Sequence, residues 1–269
     1  DQLPSVGAGN VLKDIIDSCV VPIIKLSQIY RQARNSSIIT NAHRINNGEM
    51  IDLSNDINSD FFFIELKDPK QTATLISDLC GERLPKKYNL DPVSDIQVLT
   101  PMKKRETGTE NLNELLQSVL NKNDKMLKRA AMEYRLGDKV MQIKNNYDKD
   151  IYNGDIGFIN NVDLIDKKLT VNFDGRNINY DILELEELIL AYAMTVHKSQ
   201  GGEFPVVIIP ISFHHRIMLE RNLLYTGVTR AKKLIILIGE KQAVKFAIDN
   251  NNSKKRYSLL SERIESGNK

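Results

Sequence analysis

Residues 187–211, ELILAYAMTVHKSQGGEFPVVIIPI, place a dense polar cluster between two apolar runs. The first run ends at Thr195 and the second begins at Phe204. Both runs are apolar at consecutive positions, which is typical of strands that are buried on both faces of a sheet. The stretch therefore predicts two buried strands that are joined by a short segment rich in hydrogen-bonding side chains.

Further apolar runs extend this pattern in both directions, and helical patterns lie between them. The runs are VPIIKL (21–26), FFFIEL (61–66), IQVLT (96–100) and KLIILIG (233–239). We expect helices over about 36–46 and about 109–121. The capping residues are Asn35 or Ser36 before the first helix, Gly48 after it, and Thr107 with Glu110 at capping-box spacing before the second. This alternation predicts an α/β layered domain with a mainly parallel sheet.

Residues 137–186 break the alternation, because they contain turn signals and no helical pattern. Around Asp174-Gly175, the segments LTVNF and RNINYDI alternate with period two, which indicates a β-hairpin. Short strands without a helix predict a small β-barrel. The barrel interrupts the α/β domain, which we expect to resume at residue 187.

The composition is that of a globular protein with no strong charge bias. The chain has 269 residues, 41% hydrophobic and 27% charged, with a formal net charge of +2. It contains no membrane-length apolar run and no signal-peptide pattern, and its two cysteines, Cys19 and Cys80, lie far apart. We therefore expect a reduced, cytoplasmic compartment and no membrane partner.

Two runs, 101–105 and 121–130, are locally basic, whereas the barrel region is acidic. A polyanion would have to bind one of these local patches, because the chain has no general basic field. Alternatively, both runs are solvated helix faces, and the composition leaves the choice open.

Several motifs, taken together and in order, resemble those of superfamily-1 helicases of the RecD/TraA type, in their second motor domain. YRQA (30–33) resembles motif IV, HKSQGGEF (197–204) motif V, and YTGVTRAKK (225–233) motif VI. DQLPSVGAGNVLKDI (1–15) resembles the end of motif III, and GDKVMQIKNNYDKDIYNGDIGFI (137–159) the start of an SH3-like barrel insertion.

The resemblance implies a RecA-like fold of the P-loop NTPase type, with a mainly parallel sheet between helices and an inserted SH3-like β-barrel. The expected parts are residues 1–136 as the first part of motor domain 2 (with 1–20 as the motif III tail and a helix), 137–186 as the barrel, 187–250 as the second part, and 251–269 as a C-terminal tail.

The resemblance also implies which side chains meet the nucleotide. Arg31 and Arg230 correspond to arginines that reach the γ-phosphate, where a guanidinium offsets the negative charge that develops during phosphoryl transfer. Gln2 corresponds to the motif III glutamine that senses this phosphate. The remaining cofactor-side residues implied by motif V are Glu203, which would hydrogen-bond the ribose, Gly201 and Gln200.

A second set of residues matches positions that contact single-stranded DNA. A hydroxyl or imidazole donor can position phosphates without reading sequence. Some members have a plainer alternative: Asn41 could serve helix capping or core hydrogen bonding, and a lone histidine after a strand is often structural. The set consists of Thr195, His197, Lys198, Thr100 and Asn41. The neighbouring pair His214-His215 has no supporting metal-ligand pattern.

The sequence contains no G-x-x-x-x-G-K-[ST] motif and no Walker B acidic pair. By resemblance, ATP with Mg²⁺ would be held mainly by an N-terminal motor domain of the same protein, and the start at Asp1 without methionine fits a piece of a longer chain. We therefore expect half an active site, which is inactive alone but belongs to an ATP-dependent helicase that translocates 5′ to 3′ on single-stranded DNA.

The parent protein has several possible settings. It could act alone, with the subunits of a nuclease and helicase complex, or as the helicase half of a conjugative relaxase. Alternatively, the chain could be a non-catalytic DNA-binding scaffold of a repair complex. The presence of both arginines and Glu203 argues against the scaffold.

Overall fold

A computed structural model describes residues 2–4, 7, 9–24, 36–251 and 258–267 of the chain. Within these residues, a central sheet of five parallel strands forms the body of the protein. The strands are β1 (Phe61–Glu65), β2 (Ile96–Thr100), β10 (Ala193–Thr195), β11 (Phe204–Ile211) and β12 (Ala231–Gly239). They lie in the order β1-β12-β11-β2-β10, so the α/β prediction is confirmed.

Helices cover both faces of this sheet. They are α2 (Ser37–Asn47), α3 (Pro69–Asp78), α4 (Leu84–Tyr88), α5 (Thr109–Leu120), α6 (Arg221–Val228) and α7 (Lys241–Asp249), whereas two further helices, α1 (Val11–Asp17) and α8 (Leu260–Gly267), have no buried residues. Ile235 and Leu237 of β12 belong to the core that contains α2, α6 and α7. Leu234 and Ile236 belong to the core that contains α3 and α5. Successive strand residues thus bury opposite faces, which explains the unbroken apolar runs.

The two predicted helices are present with their expected spans. Ser36 caps α2, because its Oγ accepts a hydrogen bond from the Ile39 N–H at 3.3 Å, and Gly48 ends α2 with φ of 78°. The predicted capping box of α5 is wrong. Gly108 occupies the N-cap position without a side-chain hydrogen bond, and the Thr107 hydroxyl is 2.9 Å from Nε2 of His215.

A second sheet forms the barrel in the order β8-β7-β6-β5-β9, with antiparallel pairing throughout. Its strands are β5 (Lys139–Gln142), β6 (Ile156–Asp163), β7 (Lys168–Phe173), β8 (Arg176–Asp181) and β9 (Leu188–Leu190). A separate hairpin of β3 (Met126–Arg129) and β4 (Met132–Arg135) precedes this sheet. The hairpin prediction is confirmed, because Leu169 pairs with Tyr180 across the Asp174-Gly175 turn.

The apolar run 187–195 supplies two strands instead of the predicted one. Its first part, β9, pairs with β5 of the barrel, and its second part, β10, pairs with β2 of the central sheet. The chain changes sheets at Ala191, whose N–H still donates to the barrel, and Tyr192, whose carbonyl accepts from β2. Both halves are buried, so hydrophobicity alone could not separate them. The second sheet consequently extends to Leu190.

The predicted strand over residues 21–26 is not found where the structure describes it. Residues 21–24 lie outside any strand, and Ile24 is 91% exposed. Residues 25 and 26 fall outside the described part of the chain.

A buried carboxylate, Asp138, ties the barrel to the parallel-sheet domain. Its two oxygens accept hydrogen bonds from Gln117 and Asn121 at 2.6 Å, from the Arg135 N–H at 2.7 Å and from the Tyr192 hydroxyl at 2.8 Å. These donors come from α5 and the residue that follows it, from the end of β4 and from the link between β9 and β10. Burial raises the pKa of Asp138, and the four donors oppose that rise.

Candidate nucleotide and nucleic-acid interface

The predicted site residues that flank the strands of the central sheet lie at two opposite edges of it. Thr195 and Thr100 end β10 and β2, so they lie at the carboxyl edge. Glu203 directly precedes β11 and Arg230 directly precedes β12, so they lie at the amino edge. The polar clusters therefore do not converge on one surface. They form two separate groups.

Residues 196–203, here named the crossing loop, join the two edges. The registers of β10 with β2 and of β2 with β11 put Thr195 level with Pro210. The chain then enters β11 at Phe204, six positions before Pro210. At about 3.3 Å per residue, the crossing loop spans about 20 Å along the strand direction. It can therefore contact ligands at both edges of the sheet.

Arg230 is held at the amino edge by backbone carbonyls. Its side chain donates to the carbonyls of Gly202 at 2.9 Å and Thr226 at 3.2 Å, and the residue is only 6% exposed. The guanidinium is therefore anchored to the crossing loop and to the end of α6 at the same time. Within the described residues Arg230 forms no ion pair, although its charge helps to lower the pKa of the nearby Glu203.

The amino-terminal segment packs beside Arg230. The Leu3 N–H donates to the Thr226 hydroxyl at 2.8 Å, and Gln2 Nε2 lies 3.3 Å from the Thr229 hydroxyl. Gln200 of the crossing loop donates to the Leu3 carbonyl at 3.0 Å. Gln2, Gln200 and the end of α6 therefore form one hydrogen-bonded group, which brings three of the predicted motifs together.

Glu203 is solvent-accessible beside this group. Its carboxylate pairs with the Lys232 ammonium at 2.9 Å, and that hydrogen bond lowers the pKa of Glu203. Gly201 has φ of 84°, and no atom lies within 4 Å of the position that a Cβ would take. The backbone at this bend is therefore open to a ligand.

At the carboxyl edge, Thr195, His197 and Lys198 share one turn, closed by a 2.9 Å hydrogen bond from the Lys198 N–H to the Thr195 carbonyl. Burial lowers the pKa of His197, with Glu220 acting in the opposite direction. Burial also lowers the pKa of Lys198, and the charge of Lys103 adds to that effect. The Lys198 ammonium donates to Asn153 Oδ1 on a barrel turn, so the barrel borders this edge.

Two other predicted DNA contacts are buried in this conformation. Thr100 has no exposed surface, and its hydroxyl donates to the Thr107 carbonyl at 2.7 Å. Asn41 is 2% exposed and exchanges hydrogen bonds with the backbone of Asp52 at 2.9 and 3.2 Å. Both side chains hold loops in place, as the core hydrogen-bonding alternative for Asn41 expected. The remaining predicted residue, Arg31, lies outside the described residues.

The two basic runs have different surroundings. In the run 121–130, Lys128 pairs with Glu133 at 2.5 Å and Arg129 with Glu186 at 3.1 Å, so these charges are neutralised. The run 101–105 instead forms the exposed loop after β2, beside Lys198. Residues 101–105 are therefore the local basic patch that is available to a polyanion.

His215 is a structural residue that the sequence did not reveal. It is 1% exposed, and its Nε2 contacts the Thr107 hydroxyl at 2.9 Å while its Nδ1 accepts from the Ser212 N–H at 3.3 Å. Since Thr107 also holds Thr100, this histidine fixes the loop after β2. Its contact residue is 108 positions away in the chain, so no local pattern points to it.

The buried state of His215 predicts acid sensitivity. Burial lowers the pKa of His215 to about 4, below the ordinary histidine value of about 6.5. As the pH falls, His215 therefore binds its proton at a higher pH in the unfolded chain than in the folded protein. Stability should drop, by on the order of 3 kcal/mol at most, between about pH 6.5 and pH 4. Urea unfolding at several pH values should show a shallower drop for His215→Gln. The exposed His43 of α2 provides the control, since His43→Gln leaves the surroundings of His215 intact and should keep the wild-type pH profile.

The described residues show no metal-ligand group and no membrane-crossing element. Within those ranges, His, Cys, Asp and Glu side chains form no cluster of three or more that could hold a metal ion. None of the helices there has the length and apolar character needed to cross a bilayer.

Two family models match the chain at the places where the structure has its barrel and its crossing loop. The model for the ATP-dependent RecD-like DNA helicase SH3 domain matches residues 112–173. The model for the UvrD-like helicase C-terminal domain matches residues 190–238, which include the crossing loop and Arg230. The chain is a relative of the RecD-type DNA helicases.

Individual relatives agree with these matches. The chain is 36% identical over 265 residues to the ATP-dependent RecD2 DNA helicase of Deinococcus radiodurans. This match covers 98% of this chain and 35% of that protein. It is 31% identical over 172 residues to the RecBCD enzyme subunit RecD of Haemophilus influenzae, covering 64% of this chain and 25% of that protein. The chain thus spans about a third or less of the length of these two relatives.

A solved structure supports the fold. The Pif1 helicase from Bacteroides, in complex with ADP-AlF3 and ssDNA, superposes with a TM-score of 0.50 at 20% sequence identity. The superposition covers 82% of this chain and 53% of that one. At this identity the likeness concerns the fold alone, and the parallel sheet between helices is consistent with a RecA-like fold.

Proposed function

We propose that this chain is the second motor domain, with its SH3-like barrel, of an ATP-dependent helicase that moves along single-stranded DNA. The crossing loop is the observation that supports this most. It connects the amino-edge group around Arg230 to the carboxyl-edge group around Thr195, about 20 Å apart along the strands. One short segment can then make the nucleotide and the strand respond to each other.

In this proposal, the amino edge faces ATP. Arg230, and by resemblance Arg31, offset the charge on the γ-phosphate, and Gln2 senses that phosphate through the group it forms with Thr229. Glu203 binds the ribose, and Gly201 lets the backbone approach. The chain has neither a Walker A motif nor a described metal-ligand cluster, so the Mg²⁺ and most phosphate contacts would come from an N-terminal motor domain of the same protein.

The carboxyl edge holds the strand. Thr195, His197 and Lys198 offer a hydroxyl, an imidazole and an ammonium on one turn, which is a set suited to phosphates and not to base edges. The contact between Lys198 and Asn153 supports a role for the barrel in holding the strand there. The resemblance favours 5′ to 3′ movement, and the RecBCD subunit among the relatives suggests nuclease-complex partners.

Binding of oligo-dT to the 269-residue protein tests this function. We expect binding that weakens with salt, and Lys198→Gln should lower the slope of log K against log salt by about 0.7, the value for one phosphate contact on a single strand. Lys86→Gln on α4 is the charge-matched control and should leave the slope unchanged. The same protein should not turn over ATP. The absence of any oligo-dT binding, or DNA-stimulated ATP turnover by this chain alone, would contradict the proposal.

A further inference from the structure

A cavity of about 510 Å³ opens at the carboxyl edge of the central sheet, away from the turn that carries Thr195. Its walls come from the loops that follow four adjacent strands, β1, β12, β11 and β2. The lining side chains that matter here are Lys67, Arg105, Phe213, Arg216, Ile217 and Glu240. The cavity therefore spans most of the width of this edge.

The charge of the cavity is positive and accessible. Lys67, Arg105 and Arg216 contribute three cations against the single carboxylate of Glu240. Glu240 already holds the loop after β11, because its Oε1 accepts from the Phe213 N–H at 3.0 Å. Across the described ranges, none of the three cations takes part in an ion pair. The cavity is therefore suited to an anionic ligand.

Apolar surface lies beside these cations. Phe213 is 37% exposed and Ile217 is 93% exposed, although both belong to a well-anchored turn. Phe213 packs edge-on against Phe246 with ring centroids 5.9 Å apart, and Arg216 lies over the same ring at 5.6 Å. Single-stranded nucleic acids bind to surfaces of this kind, because cations contact the phosphates while neighbouring side chains stack against the bases.

The loop that carries Arg105 is held in an unusual conformation. Arg105 has φ of 75°, in the left-handed region that a long side chain rarely adopts. The contact between the Thr107 hydroxyl and His215 holds this loop in place. It is also packed so closely that a Cβ on Gly108 would lie 2.2 Å from the Lys104 carbonyl. A strained, well-anchored residue that faces a cavity points to a binding role.

The cavity is continuous with the proposed DNA edge. The loop that supplies Arg105 also carries Lys103, whose charge acts on Lys198. Cationic side chains consequently follow β10, β2, β11 and β1 across one edge of the sheet. Four strand spacings of about 4.8 Å make this row about 19 Å wide. At 3.4 Å or more between phosphates, that width fits a segment of at most about six nucleotides.

We propose that this cavity binds a further segment of the single strand, beyond the part held by Thr195, His197 and Lys198. Lys67, Arg105 and Arg216 contact its phosphates, and a base lies against Phe213 and Ile217. The inference rests on the proposed function, since it extends the same strand across the sheet.

Oligo-dT of increasing length tests the extension. We expect affinity and salt slope to rise with length up to about six nucleotides, the length that spans the row, and the slope to level off for longer oligonucleotides. The double variant Lys67→Gln/Arg216→Gln should lower the slope by about 1.4, or 0.7 per contact, for the long oligonucleotides and leave the short ones unchanged. Ile217→Ala, at a site that is 93% exposed, should weaken only the long ones, with the slope unchanged.

The controls separate this inference from the proposed function. Lys86→Gln should match the wild type at every length, and Lys198→Gln should weaken short and long oligonucleotides alike. Equal slopes for the double variant and the wild type at all lengths would overturn the extension and leave the Lys198 contact standing. No binding at any length would overturn both. Loss of polyglutamate binding in the double variant, with DNA binding intact, would assign the cavity to an acidic protein segment and overturn the inference.

Discussion

Arg230→Ala is expected to lower ATP turnover by the full-length protein about 10³-fold or more, because an arginine that stabilises the transferring phosphoryl group contributes 10³ to 10⁵ in rate. The guanidinium is already anchored by the carbonyls of Gly202 and Thr226, so the proposed contact with the γ-phosphate would need little reorganisation. Binding of single-stranded DNA should change little, since Arg230 lies at the edge opposite Thr195. Steady-state turnover and oligo-dT affinity of the same variant measure the two effects.

Two further variants identify the cause of a loss. Arg230→Lys keeps the positive charge but cannot donate to two carbonyls and a phosphate in a planar fork, so it should recover little turnover. Lys233→Ala removes an exposed charge from the same strand and should remain active. Thermal unfolding of each variant checks that the fold is intact. Turnover by Arg230→Ala within a few-fold of the wild type would remove this residue from the catalytic role.

Local patterns predicted those features whose causes are local. The ends of α2 follow from Ser36 and Gly48, which act on the adjacent turn. The β7–β8 hairpin follows from Asp174-Gly175, whose residues have φ of 47° and 86° and match the twist of the flanking strands. Burial on both sheet faces follows from unbroken apolar runs such as β12.

Features that depend on distant contacts could not be predicted in the same way. The change of sheet at Ala191 is set by pairing with two different strands, and hydrophobicity is the same on both sides of it. Thr107 has the spacing of a capping residue, yet its hydroxyl contacts His215. Likewise, the opposite placement of Thr195 and Glu203 depends on strand register, which sequence spacing does not contain.

Asp138→Asn is expected to destabilise the protein by about 2–4 kcal/mol, although the two side chains have nearly the same shape. All four groups around Asp138 are donors, so an amide would direct its own N–H₂ at two of them. Gln117 and Asn121 cannot simply turn over, because their amides also donate to the Glu133 and Leu136 carbonyls at 3.0 Å. Buried donors without acceptors cost about 1–3 kcal/mol each.

The comparison with Asp148→Asn makes this test specific, because Asp148 is an exposed carboxylate on the same barrel and its replacement should change stability by less than about 0.5 kcal/mol. Urea unfolding of the three proteins at neutral pH gives the differences directly. Because Asp138 joins α5, the β4–β5 turn and the β9–β10 link, its loss should also loosen the barrel relative to the central sheet. Under the proposed function, single-stranded DNA should then bind more weakly to Asp138→Asn than to Asp148→Asn, even below the unfolding transition. Equal stability of the two variants would show that the hydrogen-bonded carboxylate does not hold the junction.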